Sequence, residues 1–164
     1  MARDASFDWQ NRAMSIWKEF EDQAPELAAF GAHRLTTVTG YLATIRDDGS
    51  PRVHPVVPVV GGGRLFVFME PTSPKSRDIV DRGWYALHNG VPDMSGTGGE
   101  FYVSGRGRLV DDEAVRRIAV ESATYSPLER YVLFELSVNE ARCHGYGDTE
   151  LPEPRRWSSE RTDP

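Results

Sequence analysis

The chain has 164 residues, with 19 Lys and Arg against 25 Asp and Glu, and a formal net charge of −6. An acidic balance argues against nucleic acid as the main partner, because phosphate backbones are bound by basic fields, but it leaves room for one small anion on a local basic cluster. With 39% apolar, 10% aromatic and 27% charged residues, the composition is that of one folded domain and not of a disordered chain.

Cys143 is the one cysteine, so no intrachain disulfide can form and a reducing compartment is expected. Met1–Asp4 leads into a charged amphipathic stretch without the apolar core of a signal peptide. The longest apolar runs, Val56–Val60 and Leu65–Met69, are far too short to span a bilayer. A cytoplasmic protein is expected.

In chain order, Ser6 can cap a helix running to about Asp22, with Ala13, Ile16, Trp17 and Phe20 at helical spacing. Pro25 opens a second short helix through Phe30. From Gly40 the period changes. Tyr41–Arg46 reads as a strand, Asp47-Asp48-Gly49 as a tight turn, Pro51–Val60 as a second strand, Gly61–Gly63 as a turn and Arg64–Met69 as a third strand. Two short connections in a row predict an antiparallel meander. Pro55 and Pro58 cannot donate to a ladder, so part of the second strand should be an edge or be bulged. Ser73–Asp81 is a short helix, Trp84–His88 a strand, Val91–Gly99 a loop, and Glu100–Val110 a long strand with Gly105 and Gly107 as bend points. Asp111–Ser122 is a helix, and Glu129–Gly145 contains a sixth strand, Tyr131–Leu136. The fold class predicted is mainly β (α+β), a six-stranded antiparallel barrel, closed or partly closed. Three parts are expected: a helical segment at 1–34, the barrel at 35–147 and an extended C-terminal arm at 148–164.

Several chemistries find no support. His33, His54, His88 and His144 do not form a helical zinc pair, and no second cysteine exists for a zinc knuckle. Cys143 and His144 are adjacent, so in a strand they point to opposite faces. Gly96–Gly99 lacks the lysine of a phosphate-binding loop.

The informative segment is Thr72-Ser73-Pro74-Lys75-Ser76-Arg77. Ser73 is a good N-cap and Pro74 suits the first helical position. A helix start carries partial positive charge and usually holds Asp or Glu, as at Asp111-Asp112-Glu113. Here it holds Lys75, with Arg77 behind it. Cations stacked on free N–H groups suit an anion from outside, such as a phosphate. Alternatively, Lys75 and Arg77 face water or pair with Asp78 and Asp81. Arg52, on the strand expected to neighbour this region, can reach the same anion or be an ordinary exposed strand arginine.

The segments Gly40–Ile45, Asp48–Val56, Arg64–Phe68, Ser73-Pro74-Lys75, Tyr85–His88 and Val103–Leu109, in this order and spacing, resemble the pyridoxamine 5′-phosphate oxidase-like family of FMN-binding split barrels over roughly residues 35 to 145. The resemblance implies a six-stranded split barrel, normally a homodimer with two flavin sites at the interface. It implies that Arg52 and Lys75 hold the flavin phosphate with Ser73. It also implies that Val53, His54, Pro55, Val56 and Val57 pass along the flavin, that Phe68 and Met69 end the third strand at the cofactor, and that Glu100 stands near the ring in place of a frequent glutamine. Pro74 replaces a basic residue often found there, and the C-terminus lacks the substrate-binding segment of true pyridoxamine phosphate oxidases. Trp157, with Arg155 and Arg156, would either cover a partner's flavin or lie in a surface arm. The expected function is an FMN-dependent oxidoreductase acting on a small molecule, with no nucleic-acid or membrane partner and no metal. The alternatives are a deazaflavin F420-dependent reductase using Arg34, Arg46, Arg52, Lys75 and Arg77 for an acidic tail, or a non-catalytic flavin- or haem-binding stress-response module. Among possible acids and bases, His54, His88 and Tyr102 qualify by type alone.

Overall fold

The computed structural model describes residues 16–159. Two helices, α1 (Trp17–Gln23) and α2 (Pro25–Thr37), precede the strands β1 (Gly40–Ile45), β2 (Pro51–Val56), β3 (Val59–Gly61) and β4 (Arg64–Met69). Then come α3 (Pro74–Arg82), β5 (Trp84–Asn89), β6 (Glu100–Val110), α4 (Glu113–Ser122), β7 (Val132–Leu136), β8 (Glu140–His144) and β9 (Arg156–Ser158). The Ser6 cap falls outside the described residues. Among those residues no helix is long and apolar enough to cross a membrane.

The sheet runs β2-β1-β5-β6-β7-β4-β3, with β8 on the first half of β6 and β9 on β8, and every pairing is antiparallel. The result is a split α+β barrel. The expected second strand is two strands, separated at Val57 and Pro58, which close opposite ends of the sheet. Proline at 55 is therefore at an edge, as its missing donor requires. The predicted meander does not form: β2 pairs with β1 alone, while β4 pairs with β3 and β7. Pro58 interrupts the ladder and sends the chain from one half-sheet to the other, so Arg52 and the end of β4 are not strand neighbours.

The sixth strand is also two. Residues 137–139 step between β7 and β8, with Ser137 N–H donating to Arg106 O and Asn139 N–H to Ser104 O. Gly105 permits this step, because a Cβ there would strike the Ser137 carbonyl. The eleven-residue β6 thus belongs to both halves of the barrel.

Alternation places Leu42, Leu65, Val67, Leu87, Phe101 and Val103 inside, where α1 and α2 add Trp17, Phe20, Leu27 and Leu35. Both helices therefore belong to the barrel's own core. A second cluster, Val59, Phe66, Phe68 and Leu133, lies under Ala119 of α4. The arm beyond 148 folds back as β9, burying Trp157 against Phe20 at 5.1 Å between ring centroids, with the indole N–H donating to Gln23 Oε1 at 2.9 Å. Trp157 is a core residue of its own chain and neither a flavin cover nor part of a surface arm. An indole between polar neighbours reads as exposed in sequence, but strand alternation turns it inward while Arg156 and Ser158 face out.

Candidate functional site

The site is built where α3 crosses the ends of β1 and β2. Ser73 caps the helix through its own hydroxyl, which accepts from the Ser76 N–H and lies 2.8 Å from the Ser76 hydroxyl. Ser76 in turn donates to Glu70 O at 2.8 Å. Ser73 therefore shapes the helix start and spends its hydroxyl doing so. The first turn of α3 contains no acid.

Asp78, one turn later, is buried and clamps the helix to the sheet. Its Oδ2 accepts from Thr44 Oγ1 at 2.7 Å and from Arg52 Nε at 2.8 Å. Thr44 and Arg52 are directly opposite across β1 and β2, so one carboxylate captures both. Arg52 thus reaches α3 through Asp78, and the alternative pairing of Asp78 with Lys75 or Arg77 does not occur.

An open cleft of about 400 Å³ lies here, lined by Arg46, Asp47, Asp48, Arg52, Pro74, Arg77, Asp78 and Asp81. Its acids are already engaged. Asp78 holds Thr44 and Arg52, Asp47 pairs with Arg82, Asp48 accepts the Ser50 N–H and hydroxyl, and Asp81 lies 3.8 Å from Arg82. Among the described residues Arg46, Lys75 and Arg77 have no ion pair. The cleft therefore holds both signs of charge, and the cations left without an acid partner lie on its α3 side and at Arg46.

His54 sits beside Lys75 and Arg52. Its Nε2 is buried and has no hydrogen-bond partner. Burial pushes the imidazole below its ordinary value of 6.5, and the Lys75 and Arg52 charges push it further down. Burial likewise lowers the Lys75 ammonium. Two cations and an imidazole N that lacks a partner form a place where an oxyanion would relieve all three groups, so these residues fit a phosphate.

A folded-state value below 6.5 means that the unfolded chain takes up this proton first on acidification. The His54 contribution to stability is full above pH 6.5 and is lost as the pH falls through that value. Urea midpoints of wild type and His54→Gln should therefore run parallel above pH 6.5 and change relative to each other below it, wild type falling more steeply towards acid. Profiles that stay parallel below pH 6.5 would show that the ring is not held neutral.

The remaining candidates divide. Along β2, Arg52, His54 and Val56 lie on one face, with Val56 in the core, while Val53, Pro55 and Val57 are exposed on the other. Phe68 and Met69 are buried, Phe68 beneath α4 with Arg116 5.3 Å from its ring centroid and Met69 in the barrel, so neither side chain reaches the cleft. Large apolar groups at the end of a strand buried on both faces are core residues first.

Glu100 is not brought to this site. It starts β6, three strands from β2, and lines a second cleft of about 310 Å³ with His88, Tyr102, Arg142, Cys143 and His144. Glu100 Oε1 accepts from the Tyr146 hydroxyl at 2.8 Å, and Oε2 is 3.6 Å from His88 Nε2. His88 Nδ1 lies 2.5 Å from Asn89 O, which can only accept. That fixes the Nδ1–H tautomer and turns Nε2 towards the carboxylate. The Cys143 thiol is buried and pushed up by that burial, an unreactive group back to back with the exposed His144. Arg34 lies under the 91–99 loop at the opposite end of β1 from Arg46, so the four arginines and one lysine expected to serve an acidic tail do not form one groove.

The Asp78 clamp is not legible in the amino-acid sequence. Its signal is a buried acid on the same helix face as Lys75, visible only once β1 and β2 are placed beneath α3.

No protein-family profile and no curated protein sequence matches the chain. Solved structures do. An FAD-binding protein of Mycobacterium smegmatis superposes with a TM-score of 0.59 at 17% identity, over 73% of this chain and 97% of that one. The heme storage protein HutZ of Vibrio cholerae gives 0.55 at 18% identity, over 77% and 97%. A Listeria innocua protein provisionally named a pyridoxamine 5′-phosphate oxidase gives 0.55 at 15% identity, over 76% and 98%. The fold is the split barrel of the pyridoxamine 5′-phosphate oxidase-like proteins.

Proposed function

We propose that this chain binds FMN and serves as a flavin-dependent oxidoreductase for a small molecule. The observation that carries the reading is the buried, partnerless Nε2 of His54 beside the unpaired Lys75. The side chains of Lys75, His54 and Arg52 receive the phosphate, since Pro74 has no N–H and those of Ser76 and Arg77 already donate to Ser73. The exposed edge of β2, with Val53, Pro55 and Val57 outward, offers the flat apolar margin a flavin ring needs. A bound flavin supplies hydride and electron transfer; the chain's part is to anchor the phosphate and orient the ring. Neighbours of the same fold that bind FAD or store heme make cofactor identity the first thing to measure. Fluorescence titration of the purified chain with FMN, FAD, F420 and haem should show saturable quenching of FMN at one per chain. Saturable binding of F420 or haem with none of FMN would overturn the reading.

The same reading includes a homodimer. The open sheet face carries Val53 60%, Tyr41 48% and Trp84 42% exposed, with Tyr41 in register between Pro55 and His88. Self-pairing through such a face is the commonest way to cover it. Sedimentation equilibrium at micromolar concentration should return twice 18.4 kDa, and a monomer of 18.4 kDa would refute the shared interface.

A further inference from the structure

We propose that Arg34 is the receptor of a separate anion site, taking one carboxylate or phosphate group of a small molecule beneath the Gly96–Gly99 loop. Arg34 stands in the last turn of α2 and is 7% exposed. Its Nε and Nη2 are both buried without a hydrogen-bond partner. A guanidinium cannot shed its proton to escape burial as a histidine or lysine can. A buried cation therefore calls for a counter-charge.

The two partnerless nitrogens are not scattered. Nε–H and one Nη2–H form a single edge of the guanidinium and point the same way, at the spacing of two oxygens of one anion. Arg108 shows the same edge in use here, with Nε 3.0 Å and Nη2 2.6 Å from Glu135 Oε2. In Arg34 that fork has no hydrogen-bond partner but is covered by protein, so an anion reaches it only as the loop lifts from α2. A Cβ on Gly98 would lie 2.5 Å from Nη1, and Gly98 has φ +82°. Phe30, one turn earlier on the same helix face, meets Gly99 at 3.3 Å from its own Cβ position. The glycines thus let the loop lie directly on α2.

Asn89 fixes the loop at both ends. Its Nδ2 donates to Gly90 O at 2.6 Å, and its Oδ1 accepts the Phe101 N–H. The loop's acid, Asp93, accepts from the N–H groups of Ser95 and Thr97 and from the Ser95 hydroxyl and makes no ion pair with Arg34. Gly40 of β1 pairs with Asn89, at this end, whereas Ile45 pairs with Pro51, at the α3 end. The strand between them spans roughly 17 Å, so this site is independent of the flavin phosphate site.

The test is thermal unfolding of the full chain in acetate and in inorganic phosphate, against chloride at equal ionic strength, for wild type, Lys75→Ala and Arg34→Met. Acetate should raise the melting temperature of wild type and Lys75→Ala and leave Arg34→Met unmoved. In chloride, Arg34→Met should melt above wild type, because it no longer buries a lone charge. In parallel, the Arg34 Nε–H resonance of the 15N-labelled wild type should shift saturably with either oxyanion. An acetate response retained in Arg34→Met, or an Arg34 resonance indifferent to both anions, would overturn the proposal. If Arg34→Met does not fold, the resonance titration of wild type decides alone.

Discussion

Lys75→Ala is expected to weaken FMN binding by roughly ten- to a hundredfold, the value of one hydrogen bond to a charged group. Riboflavin, which lacks the phosphate, should bind wild type and variant alike. The unliganded fold should lose nothing. Lys75 has no ion pair among the described residues, burial already disfavours its charge, and a cation at a helix start opposes the helix dipole. Lys75→Glu should abolish FMN binding and raise apo stability slightly. Equilibrium fluorescence titration checks the affinities and thermal unfolding checks the stability. A fall in both FMN and riboflavin affinity would mean that Lys75 shapes the pocket and does not hold the phosphate.

Trp157→Ala should have the largest effect on stability. The indole is 8% exposed, packs tilted against Phe20 and donates to Gln23, tying this end of the described chain to α1. Deleting a large buried aromatic costs about 3–5 kcal/mol. In a chain of this size that lowers the melting temperature by roughly 6–20 °C. Trp157→Phe should recover most of the loss, since the ring contact is kept and only the N–H bond goes. Wild-type stability in Trp157→Ala would mean that β9 docks without contributing to the fold. FMN affinity per folded molecule should be unchanged, because Trp157 belongs to its own chain's core.

Short-range signals carried most of the fold. Asp47-Asp48-Gly49 and Gly61–Gly63 form the turns expected of them, with Gly49, Gly62 and Gly63 at positive φ. The acidic start at Asp112 caps α4, its carboxylate accepting the N–H groups of Ala114 and Val115. The unusual start of α3 is likewise capped by Ser73, without an acid. Long-range partners were not legible. Period-2 patterns say which way a side chain points, not which strand lies beside it, so a chain that crosses from β2 to β3 at Pro58 looks like one continuous strand. For the same reason a continuous meander is the expected route by which Arg52 reaches the anion at Lys75. Arg52 instead meets α3 through Asp78, whose burial no local pattern announces. Glu100 shows the converse. The family resemblance gave it a place by the ring, yet within one chain it pairs with Tyr146 and faces His88, three strands from β2.

In the proposed complex an anion of the cofactor lies between His54 and Lys75. The most direct test is the NMR titration of the His54 imidazole in the free chain, with riboflavin and with FMN. Free and with riboflavin, His54 should titrate below 6.5, held down by burial and by the Lys75 and Arg52 charges. With FMN the phosphate should accept a hydrogen bond from Nε2 and offset both cations, moving the midpoint upward. An identical His54 titration in all three samples, with FMN bound, would contradict the account.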